Sequence, residues 1–377
     1  MIKRNRQKKF FSNLFNNKNF KHMDYSFLFA SGILLIFGLL SLYSSSSIYA
    51  LNKYSDSFYF FKKQIIWIII GLVCMTFISG MNLKKLRPYI KPAILITLVL
   101  LVITLFCPPI AHVRRWIPLG LMNFQTSELA KLMIIIYFAD YFDRNISKIA
   151  SNGKVLIQPM MAFFLILGLI ALQPDLGTPM IIFIVAILIF FAAGLKKRHI
   201  FIPIVVAIPM LIYEILSRGY RIERMKAFLS PWGDQGNTSY QISQSLLAVG
   251  SGGWFGKGLS DSELKFMYLP ELHTDFIFPI IAEELGMMGA MVIVSLFLFL
   301  LLKGIKIAKS ANNLFSSLLV IGIIFIITLQ AFFNIAMTIG IAPTKGLPLP
   351  FFSYGGSSMV MTLIGIGIIL NISAQKR

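Results

Sequence analysis

Long apolar runs separated by short basic clusters dominate the 377-residue chain. A membrane-spanning helix needs about 20 largely apolar residues. On that measure the runs at 25–48, 64–80, 89–107, 128–143, 158–173, 178–194, 199–217, 275–302, 314–340 and 353–373 predict an all-α polytopic membrane protein with about ten transmembrane helices. Basic residues favour the cytoplasmic side. With the N-terminus inside, the basic tail and the clusters at 84–91, 144–154, 196–198, 303–309 and 376–377 all fall on that side. The chain thereby divides into a basic cytoplasmic tail over 1–24, a ten-helix membrane domain over 25–373 and a cytoplasmic tail over 374–377. The first run is read as an uncleaved helix, because it lacks the short apolar core and small-residue cleavage site of a secretory signal.

The longest polar segment, 218–274, becomes an extracytoplasmic loop between helices 7 and 8. Loops longer than about 15 residues are as a rule functional or disordered. This one holds an apolar stretch at 242–249, marked by Gln241 and Gln244. That pattern predicts a short amphipathic helix on the membrane surface.

Composition agrees with a membrane protein. Hydrophobic residues make up 57% of the chain and charged residues 13%, against about 25% charged in soluble domains. The net charge of +20 sits in clusters between apolar runs, which argues against a nucleic-acid partner. Cys74 and Cys107 lie inside apolar runs without metal-ligand spacing, and the four histidines are scattered. No Walker, Rossmann or kinase motif supports a nucleotide-driven pump.

Candidate chemistry gathers on the outer face. Asp275 begins the eighth run, where a helix N-terminus favours a carboxylate in its charged form. A helix cap is the plainer role for it. Glu271 and His273 precede it, and Glu283 and Glu284 follow. Acids in or near a membrane span are costly and mark pathways or sites. Arg114, Arg115, Arg221, Arg224 and Lys345 fall on the same face. They are natural partners of phosphate oxygens, with snorkelling toward lipid headgroups as the alternative. Lys131 stands three residues after Glu128, the spacing of a helical ion pair. Asp175 separates two apolar runs and is read as a turn residue. Ser353 opens the stretch Ser353-Tyr354-Gly355-Gly356-Ser357-Ser358, whose glycines permit close backbone approach.

These stretches carry a family resemblance over nearly the whole chain. Arg114-Arg115-Trp116, Gln125–Lys131, Gln173–Thr178, Tyr220-Arg221 with Arg224, Leu269–Phe278, Glu283-Glu284-Leu285-Gly286 and Leu349–Ser358 follow one another in order. In these features the chain resembles the SEDS (shape, elongation, division and sporulation) peptidoglycan polymerases. Pro231-Trp232 with Asp234, and Pro343-Thr344-Lys345-Gly346, are similar to the cell-division members. Met337–Gly340 and Leu347–Pro350 are also similar to the elongation members. One departure is Met267, where members often place an acid or glutamine.

The resemblance implies glycosyl transfer between lipid II molecules outside the bacterial cytoplasmic membrane, at the division septum. Asp275 takes the position of the family's catalytic acid and would act as general base. Arg114, Arg115, Lys131, Arg221, Arg224, Lys345, Glu271, His273 and Ser353 would contact lipid II or its pyrophosphate. Inversion at the anomeric carbon is expected, since no covalent carboxylate intermediate is needed. A class B penicillin-binding protein transpeptidase, other division proteins and membrane lipid are the implied partners. No cofactor is required by the sequence, and a divalent cation at the pyrophosphate stays open. An elongation polymerase of the same chemistry, a lipid II flippase and a division scaffold are the competing readings. A flippase calls for polar residues along its whole depth, whereas here they collect at one face.

Overall fold

The computed structural model describes residues 22–110, 113–120, 123–217, 219–233, 237–263 and 274–375. All ten apolar runs form helices. They are α1 (Tyr25–Tyr54), α2 (Tyr59–Gly80), α3 (Ile90–Phe106), α4 (Thr126–Ser151), α5 (Ile157–Leu172), α6 (Gly177–Ala192) and α7 (Lys197–Leu216), then α10 (Ile277–Lys309), α11 (Leu314–Thr338) and α12 (Gly356–Ser373). Two more, α8 (Gly219–Leu229) and α9 (Asn237–Ser251), lie in the long loop. Among the described residues seven helices are long and apolar enough to cross a membrane unaided. Two of the seven reach that length with the turns that lead into them, Leu83–Phe106 with α3 and Gly153–Leu172 with α5; the other three of the ten are α4, α6 and α7, of which α6 is apolar but only 16 residues long. Before α4, β1 (Trp116–Pro118) pairs antiparallel with β2 (Asn123–Gln125), Trp116 opposite Gln125.

Helix α1 runs six residues beyond the predicted 48. Its serines explain the extension. Ser45 and Ser46 return their hydroxyls to the Leu42 carbonyl at 3.1 and 2.7 Å, so the polar run satisfies itself within the helix.

The most buried span is α11, 72% of whose apolar window is enclosed. Glycines let neighbours approach closely, as small residues do between membrane helices. Gly367 of α12 lies against the α2 backbone, where a Cβ would stand 2.7 Å from the Met75 carbonyl oxygen. Gly38 of α1 meets the carbonyl of Phe351, whose own φ of 71° marks a tight turn. Toward the end of α4 remote from Thr126, Asp140 accepts from Arg87 at 2.5 Å and Arg144 at 2.9 Å, while Asp143 binds Arg87 at 2.7 Å. Asp143 also takes the Phe315 amide at 3.2 Å, which ties α11 to this network.

The long loop departs from its surface-helix expectation. Helix α9 is present, but its Ile242, Ser245 and Ala248 are buried. Ser245 donates to the Thr338 carbonyl of α11 at 2.6 Å, and a Cβ on Gly252, just past α9, would collide with the Ala282 carbonyl of α10. The amphipathic face therefore meets protein, while Leu247 stays exposed.

Helix α10 breaks at Gly286, with φ 68° and ψ −170°. The turn after α9 fills the break. Lys257 and Gly258 donate their amides to the Glu283 and Glu284 carbonyls at 2.9 and 3.1 Å. Met287 and Met288 donate theirs to Gly253 and Trp254 at 2.9 and 3.1 Å.

Candidate functional site

One segment, 343–349, between α11 and α12, collects most of the expected site residues. Thr344 offers its carbonyl to Arg224 Nη1 at 3.4 Å. Lys345 is mostly enclosed, its amine 3.1 Å from the Met180 sulfur and its amide 3.4 Å from that of Met337. Gly346 faces the aspartate: a Cβ there would lie 3.3 Å from Asp275 Oδ2 and 3.6 Å from Arg115 Nη1. Asp275 is thus half-buried in the turn before α10, with its carboxylate and the Arg115 guanidinium over one glycine.

Arg115 is held from behind. Its Nε and Nη2 donate to the carbonyls of Gln173 and Pro174 at 3.2 and 2.5 Å. Arg221, the third residue of α8, is buried and pairs with both the carboxylate and the carbonyl of Glu214 at the end of α7. Asp175 caps α6 by accepting from the Thr178 amide at 3.1 Å and hydroxyl at 2.8 Å. Burial holds the Lys345 ammonium below the ordinary lysine value; the nearby Arg221 charge pushes the same way and Asp175 opposes both. Snorkelling does not describe this lysine, because its amine is turned inward to the Met180 sulfur and to the charges of Arg221 and Asp175.

Lys131 and Glu128 form the pair their spacing predicts, at 2.8 Å and deeply buried. Lys131 also donates to Gln330 Oε1 at 2.7 Å. Glu128, Lys131 and Gln330 line a cavity of about 30 Å³ with Pro350 and Thr362. Arg114 is exposed and donates to the Leu105 carbonyl at 3.1 Å, so it finishes α3 and leaves the segment at 343–349 to Arg115. Ser353 is buried; its hydroxyl accepts from the Leu349 amide at 2.7 Å and donates to the Thr274 carbonyl. Both its bonds go to backbone. Glu271 and His273, with Met267, lie outside the described residues.

Of the acids after Asp275, Glu283 serves the loop and Glu284 binds α1. Glu283 is buried and accepts from Ser262 at 2.6 Å, Lys257 at 3.0 Å and the Glu263 amide at 3.2 Å. Glu284 accepts from Ser44 at 2.6 Å. Sequence reasoning missed Gln330 and Asn334. Their signal was present: Gln330, Asn334 and Thr338 recur every fourth residue in an apolar span, and polar groups at such depth mark function.

The close approach of Asp275 to Gly346 makes a direct test. Gly346 has no positive φ, so alanine suits its backbone. Gly346→Ala should lower turnover about tenfold, a barrier of about 1.4 kcal/mol, with unchanged thermal stability in detergent. Undiminished turnover would mean that nothing reacts in that space.

A multi-helix membrane bundle with carboxylates and cations gathered around one inter-helix segment defines a class: a polytopic membrane protein. The family described as cell cycle protein (FTSW_RODA_SPOVE) matches residues 25–377. A probable peptidoglycan glycosyltransferase FtsW of Geobacter metallireducens is 39% identical over 96% of this chain and 97% of its own length. The stage V sporulation protein E of Bacillus subtilis is 38% identical over 92% of this chain and 95% of its own. Among solved structures, a chain from "Structural coordination of polymerization and crosslinking by a peptidoglycan synthase complex" superposes with a TM-score of 0.77 at 25% identity, covering 93% of this chain and 97% of that one. The rod shape determining protein RodA of Thermus thermophilus shares the fold, with a TM-score of 0.68 at 24% identity over 94% of this chain and 97% of its own. The chain belongs to the FtsW/RodA/SpoVE family.

Proposed function

We propose that this chain is a peptidoglycan glycosyltransferase that polymerises lipid II into glycan strands during cell division. The relatives named as such cover nearly its full length. The observation that carries the chemistry is Asp275 Oδ2 beside Arg115 over Gly346, with Lys345 one residue away. The acceptor's sugar hydroxyl attacks the anomeric carbon of the growing strand. Its proton passes to the Asp275 carboxylate, the new glycosidic bond forms, and the bond to undecaprenyl pyrophosphate breaks. Arg115, Arg221, Arg224 and Lys345 offset charge on the departing pyrophosphate. Among the described residues no three His, Cys, Asp or Glu side chains gather as a metal site, and no step here is routed through a divalent cation.

The same reading sets the topology: a bacterial inner-membrane protein with both termini in the cytoplasm, the 218–274 loop outside, and residence at the division septum. A class B penicillin-binding protein transpeptidase is the proposed partner; the structural neighbour from a peptidoglycan synthase complex motivates it. The test is synthesis of glycan strands from purified lipid II by the purified chain with that partner. Lipid II scrambling in liposomes without polymer would favour a flippase instead.

The lysine gives the site a pH signature. Lys345 must be cationic to attract pyrophosphate, and its proton leaves at lower pH than from an ordinary lysine. KM for lipid II is therefore expected to rise as pH climbs through that lowered value. Lys345→Arg keeps its charge throughout and should flatten the alkaline limb. A wild-type KM that stays level into the alkaline range would remove Lys345 from substrate binding.

A further inference from the structure

The polar stripe of α11 ends on the proposed base. Gln330 and Asn334 are buried one turn apart, on the same face. Gln330 Nε2 donates to the Pro348 carbonyl at 2.8 Å. Asn334 Nδ2 donates to the Leu347 carbonyl at 2.7 Å and to the Asp275 carbonyl at 2.9 Å. Successive rungs of one helix thus hold successive carbonyls of the segment that carries Lys345 and Gly346. The second rung holds the aspartate as well.

The Asp275 backbone needs such a holder. Residues 274–276 form a turn ahead of α10, and α10 has no side-chain cap. Outside a helical ladder, a peptide is fixed only by what its carbonyls and amides meet. Here the Ser353 hydroxyl takes the Thr274 carbonyl and the Asn334 amide takes that of Asp275. The peptides on both sides of the Asp275 side chain are then set by side chains from two other elements.

We infer that Asn334 is a positioning residue for Asp275: its single amide fixes the base and the Lys345–Gly346 segment to each other, and so sets the distance between the proton acceptor and the cations. The inference rests on Asp275 being the base. A displacement of about 1 Å at a reacting group can cost a hundredfold in rate, and supporting groups must hold a site to about 0.5 Å.

The test compares Asn334→Leu, which removes both donors, with Asn371→Leu. Asn371 is an equally buried amide at the far end of α12 that donates to the Ile78, Ser79 and Met81 carbonyls. In lipid II polymerisation by the purified full chain and its partner, Asn334→Leu should lower kcat about a hundredfold with KM within threefold of wild type. Asn334→Gln, which restores an amide, should recover part of that kcat. Asn371→Leu should lower melting temperature and leave kcat alone. If Asn334→Leu does not fold, Asn334→Ser takes its place, with a kcat loss of tenfold or more expected. Wild-type kcat in the folded Asn334 variant overturns the inference. So does an equal kcat loss in Asn371→Leu, or a loss confined to KM. Asp275→Asn separates the two layers. If it polymerises at the wild-type rate, the base assignment fails and the inference falls with it. If it is inactive while Asn334→Leu keeps full kcat, only the Asn334 role is lost.

Discussion

Asp275→Asn is expected to lower glycan-strand synthesis by roughly 10²–10⁴-fold, the range a positioned general base contributes. The asparagine keeps the shape of the side chain but cannot take a proton from the attacking hydroxyl. The fold should survive, because the bond that anchors this residue from α11 runs from Asn334 to its backbone carbonyl. That bond does not depend on the side chain. Lipid II binding should also survive, since Arg115 is held by the Gln173 and Pro174 carbonyls and Arg221 by Glu214. Single-turnover synthesis with KM measured alongside separates the two effects. Wild-type turnover in the variant would end the case for Asp275 as base.

Lys131→Met should be the most damaging change to stability among the candidate residues. It strips the Glu128 carboxylate of its cation in a buried setting and takes the donor from Gln330 Oε1. Breaking a buried ion pair from one side costs about 3–5 kcal/mol, whereas replacing both partners with neutral groups is often close to neutral. The double variant Glu128→Gln with Lys131→Met should therefore recover most of the lost thermal stability in detergent. Turnover tells the second half. A double variant that is stable yet inactive keeps Lys131 in substrate binding. One that is stable and fully active makes the pair purely structural.

The sequence made the helices legible because a span must be apolar over its whole length, and every run from 25–48 to 353–373 has its helix. Ends were less legible. The first span was expected to end at 48, just past serines 44–47, yet hydroxyls that bond back to their own helix carried α1 to Tyr54. The candidate site was legible in residue type, but not in the partners its side chains take. Nothing in the spacing said that Arg115 reaches two carbonyls nearly sixty residues on, or that Lys345 turns inward to Met180. The Glu128–Lys131 pair took the plain i,i+3 role its spacing suggested, and Asp175, read as a turn residue, also accepts from Thr178 in the first turn of α6. Asn334 went unread because one polar residue among apolar neighbours shows its purpose only when the carbonyls it serves, 13 and 59 residues away, are brought to it.

The break at Gly286 fixes what the long loop is free to do. Four backbone hydrogen bonds across 253–258 and 283–288 complete a ladder that α10 cannot close by itself. In hydrocarbon each backbone group left unmet costs several kcal/mol. Residues 253–258 of the loop are therefore stapled to α10 at 283–288, about ten residues past Asp275. Any movement of 253–258 is delivered through that staple to the short buried helix that begins two residues past the proposed base.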